Sequence, residues 1–186
     1  MTRVGIFGGS FNPPHLGHQA LCLMLLECGE VDELWMVPTY RHVFSKKLAP
    51  YEDRVAMCER CVAPLGGRAK VSRVEEELGG DQSRMLDTLR ELGRRHSQHH
   101  FRLAIGADIL LETDRWHRWE DVARLAPPLV FERRGYEGGM LPAPPEISST
   151  EIRDRLGRGE SALPLVPKSV MDYIAERGLY LDRKKP

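Results

Sequence analysis

The chain has no hydrophobic run long enough to span a bilayer. Its longest purely apolar stretch, Ala20 to Leu26, ends at Glu27, far short of the ~20 residues required. It has no excess of charge, since 27 Lys+Arg balance 27 Asp+Glu over 186 residues. No global field gathers nucleic acid or an acidic membrane surface, so neither is an expected partner and any anion site must be built locally. The start, Met1-Thr2-Arg3 followed by a short Val4–Phe7 stretch and glycines, lacks the h-region and cleavage site of a secretory signal, and the expected location is cytoplasmic. Cysteine is scarce: of Cys22, Cys28, Cys58 and Cys61 only the last two have C-x-x-C spacing. Without a second such pair they complete no tetrahedral zinc site and read as buried, reduced thiols. His96, His99 and His100, near Arg94 and Arg95, define no metal geometry by themselves and read as a solvated helix end and loop. There is neither an internal repeat nor a low-complexity linker.

What is present is globular. Hydrophobic residues make up 41% and there are 17 glycines, a composition at the apolar end of the folded range. The length suits one domain, residues 1–186, with a C-terminal helical segment over about 148–181. Short apolar runs alternate with helical patterns: strands at Arg3–Phe7, Leu34–Val37, Ala69–Val74, Phe101–Ile105 and Leu129–Glu132. Helices fall at Leu16–Cys28, Pro50–Val62, Ser83–Arg95, Glu120–Leu125, Thr150–Leu156 and Ser169–Arg177, the last stopped by Gly178. That alternation predicts right-handed crossovers and an α/β fold, a Rossmann-like doubly wound parallel sheet with a small C-terminal helical part. Ligands in such sheets sit beyond the carboxyl ends of the strands.

The segment Gly8-Gly9-Ser10-Phe11-Asn12-Pro13-Pro14-His15-Leu16-Gly17-His18 follows the first strand. It fits neither G-x-G-x-x-G nor a P-loop, and Ser10 is in no G-x-S-x-G elbow. Its glycines let backbone amides approach an anion, its prolines stiffen the loop, and the helix start presents N–H groups beside His15 and His18. Such a loop fits a phosphate. Far along the chain, Ile147-Ser148-Ser149-Thr150-Glu151-Ile152-Arg153 reads on its own as an N-cap cluster, with a capping box from Ser148 to Glu151.

The first string resembles the G-x-F-x-P-x-H-x-G-H signature of the nucleotidyltransferase superfamily, with Gly9, Phe11, Pro13, His15, Gly17 and His18 at its fixed positions. The second is similar to its I-S-S-T-x-I-R element. Asp87-Thr88-Leu89, Gly106-Ala107-Asp108, Trp116-His117-Arg118-Trp119, Arg134-Gly135-Tyr136, Val166-Pro167, Tyr173-Ile174 and Gly178-Leu179-Tyr180 narrow the likeness to the nicotinate-mononucleotide adenylyltransferase family. The resemblance implies transfer of AMP from ATP to nicotinate mononucleotide, giving deamido-NAD and pyrophosphate. It assigns His15, His18, Lys46 and Arg153 to catalysis, with Lys47 the alternative to Lys46. Gly8, Gly9, Ser10, Phe11, Gly106, Asp108, Ser148, Ser149 and Thr150 go to the nucleotide, and Asp87, Thr88, Trp116 and Arg134 to the acceptor. Mg²⁺ is expected on the ATP phosphates without a direct protein ligand, Asp108 contacting it indirectly.

Two departures stand out. Ser83-Arg84-Met85-Leu86 replaces the family's Ser-Tyr-Thr run, and Tyr40-Arg41-His42-Val43-Phe44-Ser45-Lys46-Lys47 its Pro-His-Lys-like string. Arg84 or Arg41 is expected to assist recognition of the acceptor's carboxylate or phosphate. Both imidazoles are expected to be donors at each ring nitrogen, an anion raising their pKa. The rivals are a related nucleotidyltransferase with another acceptor, such as nicotinamide mononucleotide or phosphopantetheine, and a nucleotide-binding module without turnover. Homo-oligomerisation is left open.

Overall fold

Alternate residues of the first strand need cover on opposite sides. β1 (Thr2–Gly9) gives Val4 and Ile6 to one apolar cluster and Phe7 to another. The computed structural model, which describes residues 1–41, 48–136 and 138–181, meets that need with five parallel strands. β2 (Glu33–Pro38), β3 (Ala69–Val71), β4 (His99–Gly106) and β5 (Pro128–Phe131) join β1 in the order β3-β2-β1-β4-β5. The order reverses at β1, so a crevice opens at the carboxyl ends of β1 and β4. This is the expected Rossmann-like sheet.

Helices cover both faces. α1 (Leu16–Glu27) and α2 (Tyr51–Val62) bury Leu21, Leu25, Cys58 and Val62 against Phe7, Met36 and Phe131. On the other face α3 (Val74–Leu78), α4 (Met85–Arg95) and α5 (Trp119–Leu125) bring Val74, Leu86, Leu89, Leu92 and Val122 onto Val4, Ile6, Trp35 and Leu103. A third cluster forms where α6 (Ser149–Gly157) and α7 (Lys168–Arg177) place Ile152, Leu156, Val170 and Ile174 against Met57 and Cys61 of α2. Asp53 fastens this joint, its Oδ1 accepting from the Tyr173 hydroxyl at 2.8 Å and Arg177 Nε at 3.1 Å. Gly178 ends α7 in the left-handed region, as expected.

Several expectations are corrected. The third strand stops at Val71, because the Ser72 hydroxyl takes the Val74 N–H (3.4 Å) and Arg73 turns back to Glu76 (2.7 Å), starting α3 instead. His99 and His100 lie within β4 and only His96 is at a helix end. Cys22, Cys58 and Cys61 are buried free thiols, but Cys28 at the end of α1 is partly exposed. Burial pushes the Cys61 thiol up to about 12. Residues Ala107–Arg115 wind as 3-10 turns. No helix among the described residues is long and apolar enough to cross a membrane.

Candidate active site

The loop leaving β1 is shaped by side chains packing onto its glycines. A Cβ on Gly8 would meet Met85 Cε at 2.8 Å, and one on Gly9 the Phe11 ring at 3.0 Å. The side of each glycine that a Cβ would occupy is taken by a protein group. Phe11 holds a positive φ of 45°, sparsely populated for a bulky residue. Its ring stands edge-on to Phe7 (5.3 Å) and His18 (5.1 Å).

His15 and His18 cap one another. His15 is the N-cap of α1; its Nδ1 accepts from the His18 N–H at 3.4 Å, and His18 Nδ1 accepts from the His15 N–H at 3.2 Å. The rings stack with centroids 3.6 Å apart. With Nδ1 an acceptor in both, the proton of each neutral ring sits on Nε2, the single donor left for a ligand. Burial, then Arg133, lowers His15 to about 4. Burial first, then His15 and Arg133, holds His18 well below its usual value. In the protein alone each ring therefore offers a ligand one donor, its Nε2–H. The helix start is also less open than expected: Leu165 O takes the Leu16 N–H at 3.0 Å, leaving Gly17 N–H of the first turn without a partner among the described residues. At Gly17 a Cβ would stand 2.7 Å from Pro145 O.

The two signatures meet physically. Ser149 Oγ donates to Pro13 O at 2.9 Å across 136 positions of sequence, and Arg153 Nη1 to Asn12 O at 2.7 Å. Ser148 caps α6 by accepting from the Thr150 N–H at 3.2 Å. The Ser148–Glu151 box does not form, because Glu151 pairs with Arg155 one turn on. Thr150 Oγ1 accepts from Arg153 Nη2 at 3.1 Å, fixing the guanidinium beside the Asn12 carbonyl.

At the end of β4, Asp108 stands over Gly106, where a Cβ would overlap its Oδ1. That oxygen is buried without a hydrogen-bond partner, and Arg133 Nε lies 3.6 Å away. On the opposite rim, Arg41 N–H donates to Ser83 Oγ and Ser83 N–H to Arg41 O, each at 3.1 Å, bringing the segment after β2 to the start of α4. Arg84 and Asp87 are exposed there. Thr88 turns inward: it is 0% exposed and its hydroxyl donates to Arg84 O and Glu75, so it shapes the α4 start and offers no side chain to an acceptor. Trp116 is partly buried, edge-on to Trp119 at 5.5 Å. Arg134 is 84% exposed and pairs with Glu146 at 3.2 Å, while Arg133 lies against Asp108 and Phe131. Lys46 and Lys47, with His42 to Ser45, lie outside the described residues.

Arg133, Asn12, Arg54 and Tyr180 were given no role from the sequence. Asn12 is buried, and its Oδ1 accepts from Ala49 N–H (3.0 Å) and the Tyr180 hydroxyl (2.9 Å). A signal existed for Arg54: it shares the apolar stripe of α2 with Cys58 and Cys61 at i+4 and i+7. For Arg133 the cue was its place two residues past β5.

A family model described as cytidylyltransferase-like matches residues 6–155. The chain is 44% identical over 185 residues to the probable nicotinate-nucleotide adenylyltransferase of Anaeromyxobacter sp. (strain K), covering 96% of each. It is 40% identical over 187 residues to the protein of that name from Myxococcus xanthus (strain DK1622), covering 100% of this chain and 98% of that one. Among solved structures, Plasmodium falciparum nicotinic acid mononucleotide adenylyltransferase complexed with NaAD has a TM-score of 0.78 at 17% identity, over 97% of this chain and 98% of that one, a likeness of fold. With a family model over most of its length and relatives matched nearly end to end, the chain belongs to the cytidylyltransferase-like family, among the nicotinate-nucleotide adenylyltransferases.

Proposed function

We propose that the protein, as one nucleotidyltransferase domain, transfers AMP from ATP to nicotinate mononucleotide and releases pyrophosphate. The observation that carries this is the junction of the two signature segments at the mouth of β1, where Ser149 and Arg153 bond the carbonyls of Pro13 and Asn12. An oxygen of the acceptor's phosphate, largely ionised at neutral pH since its second pKa is about 6, forms the new bond to the α-phosphorus. The bond from that phosphorus to the bridging oxygen breaks, and pyrophosphate leaves with the electron pair. No covalent intermediate on the protein is needed. Positioning and charge neutralisation supply the catalysis.

His18 Nε2–H is assigned to the α-phosphate and His15 Nε2–H to phosphate oxygens near the leaving group. Arg153, held by Thr150 and Asn12, is a fixed cation, and Lys46 is kept as a second one. Trp116, Arg84 and Arg41 are assigned to the acceptor's ring and anionic groups. The unpartnered Asp108 Oδ1 fits a hydrated magnesium carried by the triphosphate. Bound there, that ion would neutralise phosphate charge. The free thiols suit a reducing cytoplasm. The test follows pyrophosphate release with ATP and Mg²⁺ against both pyridine mononucleotides. Turnover should favour the nicotinate form in kcat/KM, and equal or greater turnover of the amide would overturn the acceptor assignment.

A further inference from the structure

We propose that Arg54 is a positioning residue for ATP, tying the loop after β1 to the chain at Ala49 and setting a buried positive charge directly beneath the phosphate cradle. Arg54 is 2% exposed. Its Nη1 donates to Ser10 O at 2.9 Å and its Nε to Ala49 O at 3.1 Å, while the guanidinium stands 5.4 Å from the centre of the Tyr51 ring. No carboxylate among the described residues forms an ion pair with it. Glu75, buried on α3, attracts it from farther off, but its oxygens are taken by the Tyr40 N–H at 3.0 Å and the Thr88 hydroxyl at 3.4 Å.

A guanidinium stays protonated even where burial disfavours its charge, and a buried charge without a close counterion is costly. Two of its N–H groups are spent on these carbonyls, and no carboxylate among the described residues pairs directly with the charge. Ser10, whose carbonyl it holds, belongs to the loop between Gly9 and His15. A polyanion resting on the outer side of that loop is the counterion that this arrangement lacks. The neighbouring Asp53 is engaged by Tyr173 and Arg177 and does not take that part.

The inference rests on the reading of this loop as a triphosphate cradle. Its test compares R54Q, which removes the charge, with R54K, which keeps it, by ATP Kd from calorimetry, by kcat and both KM values, and by Tm. R54Q should weaken ATP binding about tenfold or more while the KM for nicotinate mononucleotide stays within about threefold. R54K should bind ATP within about threefold of wild type. A purely structural residue would instead lower Tm and the folded fraction, moving kcat and leaving both KM values. ATP binding by R54Q as tight as wild type, or R54K as weak as R54Q, overturns the proposal. Should R54Q show no cooperative melting, the double variant R54M/E75Q, which removes both buried ionisable groups, takes its place with the same expectation. Wild-type protein that binds ATP but turns over neither mononucleotide would sink the proposed function, and the ATP Kd comparison would still decide the role of Arg54.

Discussion

Two imidazoles stacked 3.6 Å apart repel if both are charged, and burial lowers the pKa of each, so the pair favours the neutral form. His15, lowered to about 4, binds its proton less readily folded than unfolded, where the ordinary value is about 6.5. Its contribution to stability is complete above pH 6.5 and drains away as pH falls from there toward 4, by about 1.4 kcal/mol per pH unit. Urea unfolding at several pH values should show a slope of this sign, to which His18, also lowered, adds, and H15N should reduce it; an unchanged slope would mean that His15 is not one of the groups titrating. For His18→Ala, kcat should drop roughly 10²–10⁴-fold, as for loss of a preorganised donor. The accompanying loss of the reciprocal cap should cost only about 1 kcal/mol, so pyrophosphate release and Tm measured on one sample separate the two effects. The positions of these histidines could be read from H-x-G-H, but their tautomers could not. Those depend on Nδ1 contacts with the backbone and on the surrounding Phe7, Phe11 and Arg133, which only the folded chain brings together.

Elements were legible wherever periodicity and punctuation agreed, as at β1, α1, α2 and α7. They were misread where a side chain redirects the backbone: Ser72 and Arg73 turn a β-like Val71–Val74 run into α3, and Glu151 prefers Arg155 to the α6 cap. The resemblance pointed to Arg134 and left Arg133 unremarked, since only the folded chain shows that Arg133 lies beside Asp108. At the start of α1, Gly17 is held by the approach of Pro145 O. Gly17→Ala should therefore loosen the segment ahead of α6, lowering Tm and raising the KM for ATP severalfold; an unchanged KM would show that the segment yields harmlessly. Where α2 meets α7, Asp53→Ala strips Tyr173 and Arg177 of their shared acceptor. The expected cost is about 1–3 kcal/mol, with hydrogen exchange rising first in α7.

At the scale of the molecule, the sheet order puts β1 at the centre with β4 beside it, and the C-terminal helices clasp the loop that β1 projects. Ligand binding across that clasp should be visible as stabilisation. ATP at about a hundred times its Kd contributes about 2.7 kcal/mol, which for a chain of this size raises Tm by roughly 5–10 °C. Arg153→Ala should remove most of that shift, and a full shift in the variant would place ATP elsewhere. Both signatures were recognisable in the sequence, whereas their contact is a property of the crossover topology that carries α6 back over β1. The left-handed Phe11, wedged among Gly9, Phe7 and His18, has a kinetic corollary. Its loop is already set before any nucleotide comes, so capture should run at the speed of encounter and respond to ionic strength.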